Sequence, residues 1–219
     1  MLMKFIRWRL GKAIASALAT LAISGLWTAW PAAAGGRSGA TSLVNQVLGA
    51  VEGRNTHEVP AAGRLEVAFS PNAGAEALVV KTIDSAQQSV RVMAYSFTSA
   101  PVVQALLRAQ KRGAKVQAVV DYKSNIADDK SGKARAALST LSNAGADVRT
   151  IDVYAIAHDK VIVVDGKTVE LGSFNYSAAA QSRNSENVLV NWDNPALAKA
   201  YDAHFERNWS QGRSFSPRY

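Results

Sequence analysis

The hydrophobic and polar positions follow a regular pattern from residue 64 to residue 153. Apolar residues that alternate with polar ones predict strands, and apolar stripes spaced three and four residues apart predict helices. The pattern predicts strands at 65–69, 89–96, 115–121 and 146–153, separated by helices at 74–88, 99–112 and 131–143. Strands that alternate with helices indicate parallel strands covered by helices.

The pattern changes after residue 153. Strands predicted at 160–164 and 168–171 flank the sequence Asp165-Gly166-Lys167, which is typical of a hairpin turn. A further strand is predicted at 187–192, and Asn194-Pro195 opens a last helix with an apolar row that faces the core. The fold class that follows is α/β, with a mixed, largely parallel β-sheet flanked by helices on both faces.

The first 34 residues have the features of a secretory signal peptide. Residues 1–12 contain four basic residues and no acid, residues 13–30 are apolar, and Ala32-Ala33-Ala34 offers a cleavage site. The alternative is an uncleaved membrane anchor, but this alanine-rich stretch is marginal for a spanning helix. We therefore expect a periplasmic or secreted protein. Its predicted parts are the signal peptide at 1–34, a linker at 35–63, a folded domain at 64–210 and a frayed basic tail at 211–219.

Composition narrows the classes of protein that fit. The 219 residues include no cysteine, which excludes a disulfide scaffold, a zinc finger with cysteine ligands and a thiol nucleophile. The net charge is +8, but four of the 25 basic residues and none of the 17 acidic residues lie in 1–34. The mature chain therefore keeps 21 basic residues and a net charge of +4, which favours anionic partners such as phosphates.

Four polar side chains on the predicted hairpin form the candidate chemistry. His158 and Lys160 share one face of a strand because they are two residues apart, and Ser173 and Asn175 are spaced in the same way. The hairpin would bring the two pairs together. Lys160 supplies a positive charge, Ser173 and Asn175 supply neutral donors, and His158 is a nucleophile or proton carrier. We expect chemistry at a phosphate without a metal or another cofactor, because no acid cluster is present to hold a metal.

This constellation resembles the signature of the phospholipase D superfamily. Segment 158–165 reads His-x-Lys-x4-Asp, and segment 172–175 reads Gly-Ser-x-Asn. The run 69–121 and the segment 184–187 are similar to the small bacterial endonucleases of that superfamily that carry one motif. The resemblance covers residues 64–210, so it implies that this part is a phospholipase D-like catalytic domain.

The resemblance implies a role for each site residue. His158 would attack the phosphorus and form a phosphohistidine, and Lys160, Ser173 and Asn175 would bind the non-bridging oxygens. Glu186 would accept a hydrogen bond from the histidine and fix its tautomer. The motif also contains Asp165, so the resemblance groups it with the catalytic residues, while its position in the turn favours a role in shaping the turn.

The motif occurs once, whereas most of the superfamily carries it twice. His57 and His204 are not followed by lysine two residues later. In-line attack on phosphorus needs a nucleophile on one side and a general acid for the leaving oxygen on the other. A two-fold dimer supplies both, because one patch then meets its own copy. We therefore expect a homodimer in which His158 of one protomer is the nucleophile and its copy is the acid.

Three functions fit these residues. The first is a non-specific endonuclease that cleaves DNA, with RNA as a second candidate substrate, through contacts to the backbone alone. Lys123 and Arg183 are the favoured phosphate contacts outside the site, ahead of Lys130, Lys133 and Arg135. The second is a phospholipase D-type lipid phosphodiesterase, although the mature sequence shows no amphipathic membrane helix, so we expect no stable membrane association after cleavage. The third is a nucleic-acid binding module without catalysis.

Overall fold

The computed structural model describes residues 56–217. The predicted signal peptide at 1–34 and residues 35–55 of the predicted linker lie outside these residues, as do 218 and 219. The elements in chain order are β1 (Arg64–Ser70), α1 (Ala75–Asp84), β2 (Ser89–Ala94), α2 (Ala100–Lys111), β3 (Lys115–Asp121), a π-helix (Lys123–Ala127), α3 (Lys133–Asn143), β4 (Asp147–Ile151), β5 (Lys160–Val164), β6 (Thr168–Gly172), α4 (Ala178–Ser182), β7 (Glu186–Trp192), α5 (Pro195–Gln211) and β8 (Arg213–Ser214).

The strands form one mixed sheet in the order β1-β7-β6-β5-β2-β3-β4-β8. The predicted α/β class and the predicted hairpin of β5 and β6 are confirmed. Only the pairs β2–β3 and β3–β4 are parallel, so the parallel share of the sheet is smaller than predicted. The reason is that β5 pairs antiparallel with β2, and the strands that continue the sheet beyond β5 are also antiparallel.

Helices cover both faces of the sheet, but not to the same extent. The main core packs α1, α2 and α3 against one face, and a smaller core packs α5 against the other. Helix α5 contacts β2 to β6 and leaves the outer strand β1 uncovered on that side. Leu65, Val67 and Phe69, which we call the β1 apolar face, are therefore 63%, 57% and 54% exposed.

Capping residues set several helix starts as the sequence predicts. The Ser99 side chain accepts a hydrogen bond from the Val102 backbone N–H, and the Asn194 side chain accepts one from Leu197. Each cap precedes a proline in the first turn, where the missing N–H costs no helical bond. These two helices consequently begin where the sequence indicates.

Helix α1 is shorter than predicted for a tertiary reason. It ends at Asp84 instead of residue 88. The backbone N–H groups of Gln87, Gln88 and Ser89 donate to the Asp165 carboxylate from the distant hairpin turn. These N–H groups therefore bind the hairpin turn and do not continue the hydrogen bonds of the helix.

The C-terminal segment differs from its prediction as well. Helix α5 runs to Gln211, one residue past the predicted domain boundary. Arg213–Ser214 then pairs antiparallel with β4, and Phe215 packs against the main core. The start of the tail is therefore part of the sheet and is not frayed. Two short elements, the π-helix and α4, were not predicted.

Candidate active site

The candidate residues gather at one edge of the sheet. Strand β6 ends at this edge, and β5 and β7 begin there because they run antiparallel to it. His158 and Lys160 therefore stand at the start of β5, Ser173 follows the end of β6, and Glu186 opens β7. The structure thus brings together residues that are up to 28 positions apart in the sequence.

Lys160 is held in a fixed position at the bottom of the site. Its side chain is buried, with 6% of the residue exposed, and its ammonium donates to the His158 backbone oxygen at 2.8 Å. Burial lowers the pKa of Lys160, while the negative charges of Glu186 and Asp159 oppose that shift. The group is a pre-positioned cation whose charge is easier to remove than that of an exposed lysine.

Ser173 and Glu186 form a hydrogen-bonded pair across β6 and β7. The Ser173 hydroxyl donates to a Glu186 carboxylate oxygen at 2.6 Å and accepts from the Asn187 backbone N–H at 3.1 Å. The other Glu186 oxygen accepts from the Asn184 amide at 2.9 Å. Any side chain at Gly172 would place its Cβ 2.2 Å from the Asn187 carbonyl oxygen, so the glycine allows this close approach.

His158 is exposed, and its ring packs on Tyr95 with 4.8 Å between the ring centroids. The family resemblance implied a hydrogen bond between His158 and Glu186. Within residues 56–217 no such bond joins the two side chains, and the Glu186 oxygens accept from Ser173 and Asn184. In this structure Glu186 orients the serine and not the histidine.

Asn175 lies beside the pair in the loop between β6 and α4. The backbone of this loop is anchored, because the Tyr176 oxygen accepts from the N–H groups of Thr98 and Ser99 at 2.8 Å each. The Asn175 side-chain oxygen is buried and has no hydrogen-bond partner among the described residues. Buried polar atoms are rarely left unpaired, so this amide stands out as a group able to bind a ligand.

Asp165 is not brought to this site. It lies in the turn at the other end of β5, about 20 Å from His158 by the rise of a strand. Burial raises the pKa of Asp165, but the hydrogen bonds from three backbone N–H groups outweigh it and hold the pKa below its ordinary value. The grouping of Asp165 with the catalytic residues is therefore corrected: its carboxylate anchors the hairpin turn.

Lys123 and Arg183 lie at the same edge of the sheet as the site. Lys123 follows β3 by two residues and Arg183 precedes β7 by three, and both are exposed. Neither side chain takes part in an ion pair between described residues. Their role as phosphate contacts remains a prediction.

Sequence reasoning missed a buried network behind the site. Asn125 is fully buried, accepts from the Phe97 N–H, and donates to the backbone oxygens of Tyr95 and Asp121. Asp121 in turn accepts from the Ala157 N–H at 2.9 Å, next to the histidine. Polar residues that directly follow buried parallel strands were the signal available in the sequence.

Tyr95, whose backbone oxygen belongs to this network, contacts two of the candidate catalytic side chains. Its ring contacts the His158 imidazole, and the Lys160 ammonium lies 5.4 Å from the ring centroid. A cation above an aromatic face is attracted by the ring electrons. Tyr95 therefore supports both the imidazole and the ammonium from below.

The arrangement is suited to a phosphate group. It presents an exposed imidazole, a buried ammonium, a hydroxyl and an amide on one edge. In the part of the chain that the structure describes, no three histidine, aspartate or glutamate side chains are grouped to hold a metal ion. Metal independence stays a prediction that a chelator can test.

Comparisons with known proteins agree on the kind of domain. Residues 79–209 match the family model described as cardiolipin synthase, PLD-like domain. A protein of Rickettsia conorii named phospholipase D is 40% identical over 138 residues, which cover 63% of this chain and 66% of that protein, just under two thirds of its length. Its namesake from Rickettsia typhi is 36% identical over 165 residues, which cover 74% of this chain and 78% of the relative.

A solved structure of the same family is similar to this chain. The phospholipase D family member Nuc from Salmonella typhimurium is 42% identical and superposes with a TM-score of 0.66. The superposition covers 69% of this chain and 97% of Nuc.

Proposed function

This chain belongs to the phospholipase D superfamily, and we propose on that premise that it is a metal-independent phosphodiesterase that cleaves DNA, with RNA as a second candidate substrate. The observation that carries the proposal is the convergence of Lys160, Ser173 and Asn175 beside an exposed His158. These groups match the charge and the oxygens of a phosphodiester.

The proposed reaction has two steps. A nitrogen of His158 attacks the phosphorus, the P–O bond to the leaving group breaks, and a general acid gives that oxygen a proton. The group that acted as the acid then takes a proton from water, the water oxygen attacks the phosphohistidine, and the P–N bond breaks to return the imidazole. Lys160 and Asn175 stabilise the charge on the non-bridging oxygens in both steps. Ser173 joins them when its hydroxyl turns its proton from Glu186 to the phosphate.

A homodimer is part of this proposal, because one histidine cannot stand on both sides of the phosphorus. The β1 apolar face supports it, since large hydrophobic groups exposed together mark interaction surfaces. Phe69 pairs with Asn187, which donates to Ser173, so this face reaches the site. Packing this face on its own copy would bury it, and we propose that a two-fold arrangement of this kind gives the site its second His158.

Export to the periplasm or beyond the cell also belongs to the proposal. It is supported by the basic, apolar and alanine-rich pattern of residues 1–34. The name of Nuc, the solved relative that is 42% identical, supports the nuclease part of the proposal.

A lipid phosphodiesterase is the second candidate, favoured by the name of the Rickettsia relatives. The chemistry at phosphorus would be the same. Among residues 56–217 there is no helix with the length and hydrophobicity to cross a bilayer.

The deciding experiment incubates the chain from Gly35 onward with plasmid DNA in EDTA, and in parallel with phospholipid vesicles. We expect the DNA to be degraded and the vesicles to stay intact. His158→Ala should lower turnover by at least about a thousandfold, because the attacking group is lost. The variant should stay folded, because the ring is exposed.

Each other outcome changes the proposal. Loss of cleavage in EDTA that magnesium restores would contradict the metal-free mechanism. Cleavage of vesicles alone would reassign the substrate to lipids. Full function in His158→Ala would favour a binding module, and a fully active monomer in light scattering would contradict the shared site.

A further inference from the structure

A cavity separate from the active site lies at the same edge of the sheet, on the side of β4 and β8. It has a volume of about 580 Å³ and opens between the π-helix and the C-terminal strand β8. Its lining includes Tyr122, Ile126, Arg135, Thr150, Arg213 and Phe215. We call it the Tyr122 cleft.

Two guanidinium groups give the Tyr122 cleft a positive lining. The Arg135 side chain is held in place because it donates to the Ile126 backbone oxygen at 2.9 Å. Arg213 is 79% exposed and lies 3.6 Å from Asp152. Among the described residues that line the cleft, none is acidic. Guanidinium groups are the preferred protein ligands of phosphate, because their paired N–H donors fit its oxygens.

An aromatic ring forms another wall. Tyr122 is 40% exposed, although large hydrophobic groups are more often buried. Exposed aromatic rings in nucleic-acid binding proteins serve as surfaces on which bases stack. The volume is within the range of pockets that hold small molecules, so there is space for a single nucleotide.

The cleft is close to the site, because neighbouring backbone segments connect the two. Tyr122 follows Asp121, whose carboxylate accepts from the Ala157 N–H directly before the histidine. Strand β3 is two strands from β5, which is about 10 Å at the usual strand spacing. A polynucleotide with one phosphate at His158 would therefore reach the cleft within a few nucleotides, passing the exposed Lys123.

We propose that the Tyr122 cleft binds one unpaired nucleotide of the substrate strand, with the base on the Tyr122 ring and a phosphate at Arg135 and Arg213. This inference rests on the proposed nuclease function. It makes the enzyme selective for single strands, because the faces of bases in a duplex are covered by their neighbours.

The test compares three variants on three substrates. Tyr122→Leu removes the ring, Tyr122→Phe keeps it, and Lys111→Ala is a control at the opposite edge of the sheet. The substrates are a labelled single-stranded oligonucleotide, the same sequence as a duplex, and the small diester bis(p-nitrophenyl) phosphate. We expect Tyr122→Leu to lose roughly 5- to 150-fold in kcat/KM on the single strand and nothing on the small diester.

The expected pattern also has wild-type enzyme cleaving the single strand faster than the duplex, with Tyr122→Phe and Lys111→Ala close to wild type. Equal losses on the single strand and the small diester would overturn the inference, and so would no loss for Tyr122→Leu. Wild-type turnover of the small diester without cleavage of either polynucleotide would instead refute the nuclease function. Phospholipid vesicles serve as a lipid control, and a loss for Tyr122→Leu on vesicles with none on the single strand would overturn the inference in favour of a lipid.

Discussion

The two ends of strand β5 belong to one sequence motif but have opposite surroundings. At its start, His158 is exposed, and the buried Lys160 ammonium makes one hydrogen bond with the described residues, to a backbone oxygen. At its end, the Asp165 carboxylate accepts three hydrogen bonds from backbone N–H groups. A group with spare donors can bind a substrate, whereas a carboxylate saturated by backbone donors stabilises the fold. A motif residue therefore need not lie at the reaction centre.

The largest expected difference between the two ends is in activity, tested with a pair of lysines. Lys160→Gln removes the buried cation and should lower kcat roughly 100- to 1,000-fold, because the charge that stabilises the non-bridging oxygens is lost. Lys167→Gln, in the turn at the other end of β5, is the matched control and should keep wild-type kcat. Similar losses in both variants would contradict the distinction.

The same lysine should set an alkaline limit to activity. Since burial lowers the pKa of Lys160 from 10.5, the ammonium loses its proton at a lower pH than an exposed lysine would. The rate of wild-type enzyme should therefore fall before pH 10.5 is reached. A pH–rate profile that stays flat to that value would contradict the proposed role of the cation.

Tyr95→Leu should have a smaller effect at the active end. The change removes the ring below His158 and Lys160, and we expect kcat to fall roughly 2- to 30-fold with little change in KM. Tyr95→Phe retains the ring and should restore most of the rate. If the phenylalanine variant is as impaired as the leucine variant, the contact that matters is not the ring face.

At the structural end, Asp165→Asn should change stability and leave kcat intact. It weakens three charged hydrogen bonds, and we expect a loss of about 1–2 kcal/mol in the free energy of unfolding. The folded pKa of Asp165 is lowered from 3.8, so this contribution is present above that pH and disappears as the pH falls through the folded value. Denaturant unfolding at neutral and acid pH measures both effects. A large drop in kcat would return Asp165 to the site.

The middle of the hairpin should affect the pH dependence of stability and not the activity. Glu170 is fully buried on β6 and accepts from the Tyr176 hydroxyl at 2.7 Å. Burial raises the pKa of Glu170 from 4.5 to about 8, so between these values the folded protein holds a proton that the unfolded chain has released. Stability should therefore fall as the pH rises from about 4.5 to about 8.

Glu170→Gln tests this effect, because the amide cannot titrate. The variant should lose less stability than wild type over that pH range while its kcat is unchanged. Identical pH dependence in the two proteins would show that Glu170 is ionised when folded.

The sequence by itself determined the local features of this protein. It predicted the hairpin that carries Lys160 and Ser173, because turn chemistry and a spacing of two residues act within a few positions of the chain. The caps at Ser99 and Asn194 followed from the same short-range rules. Resemblance to a known family added the role of His158 as the attacking group, which spacing alone leaves open.

Tertiary structure decided what depends on pairing over long distances. The antiparallel pairing of β5 with β2 joins residues about 70 positions apart, and no local pattern encodes it. That pairing brings the backbone N–H groups of residues 87–89 to Asp165. The pairing of β6 with β7 places Glu186 beside Ser173. Among residues 56–217 one helix, α5, covers that face of the sheet, and it leaves the β1 apolar face exposed. The physical reason is that hydrophobic periodicity reports which side of an element is buried, but not which element buries it.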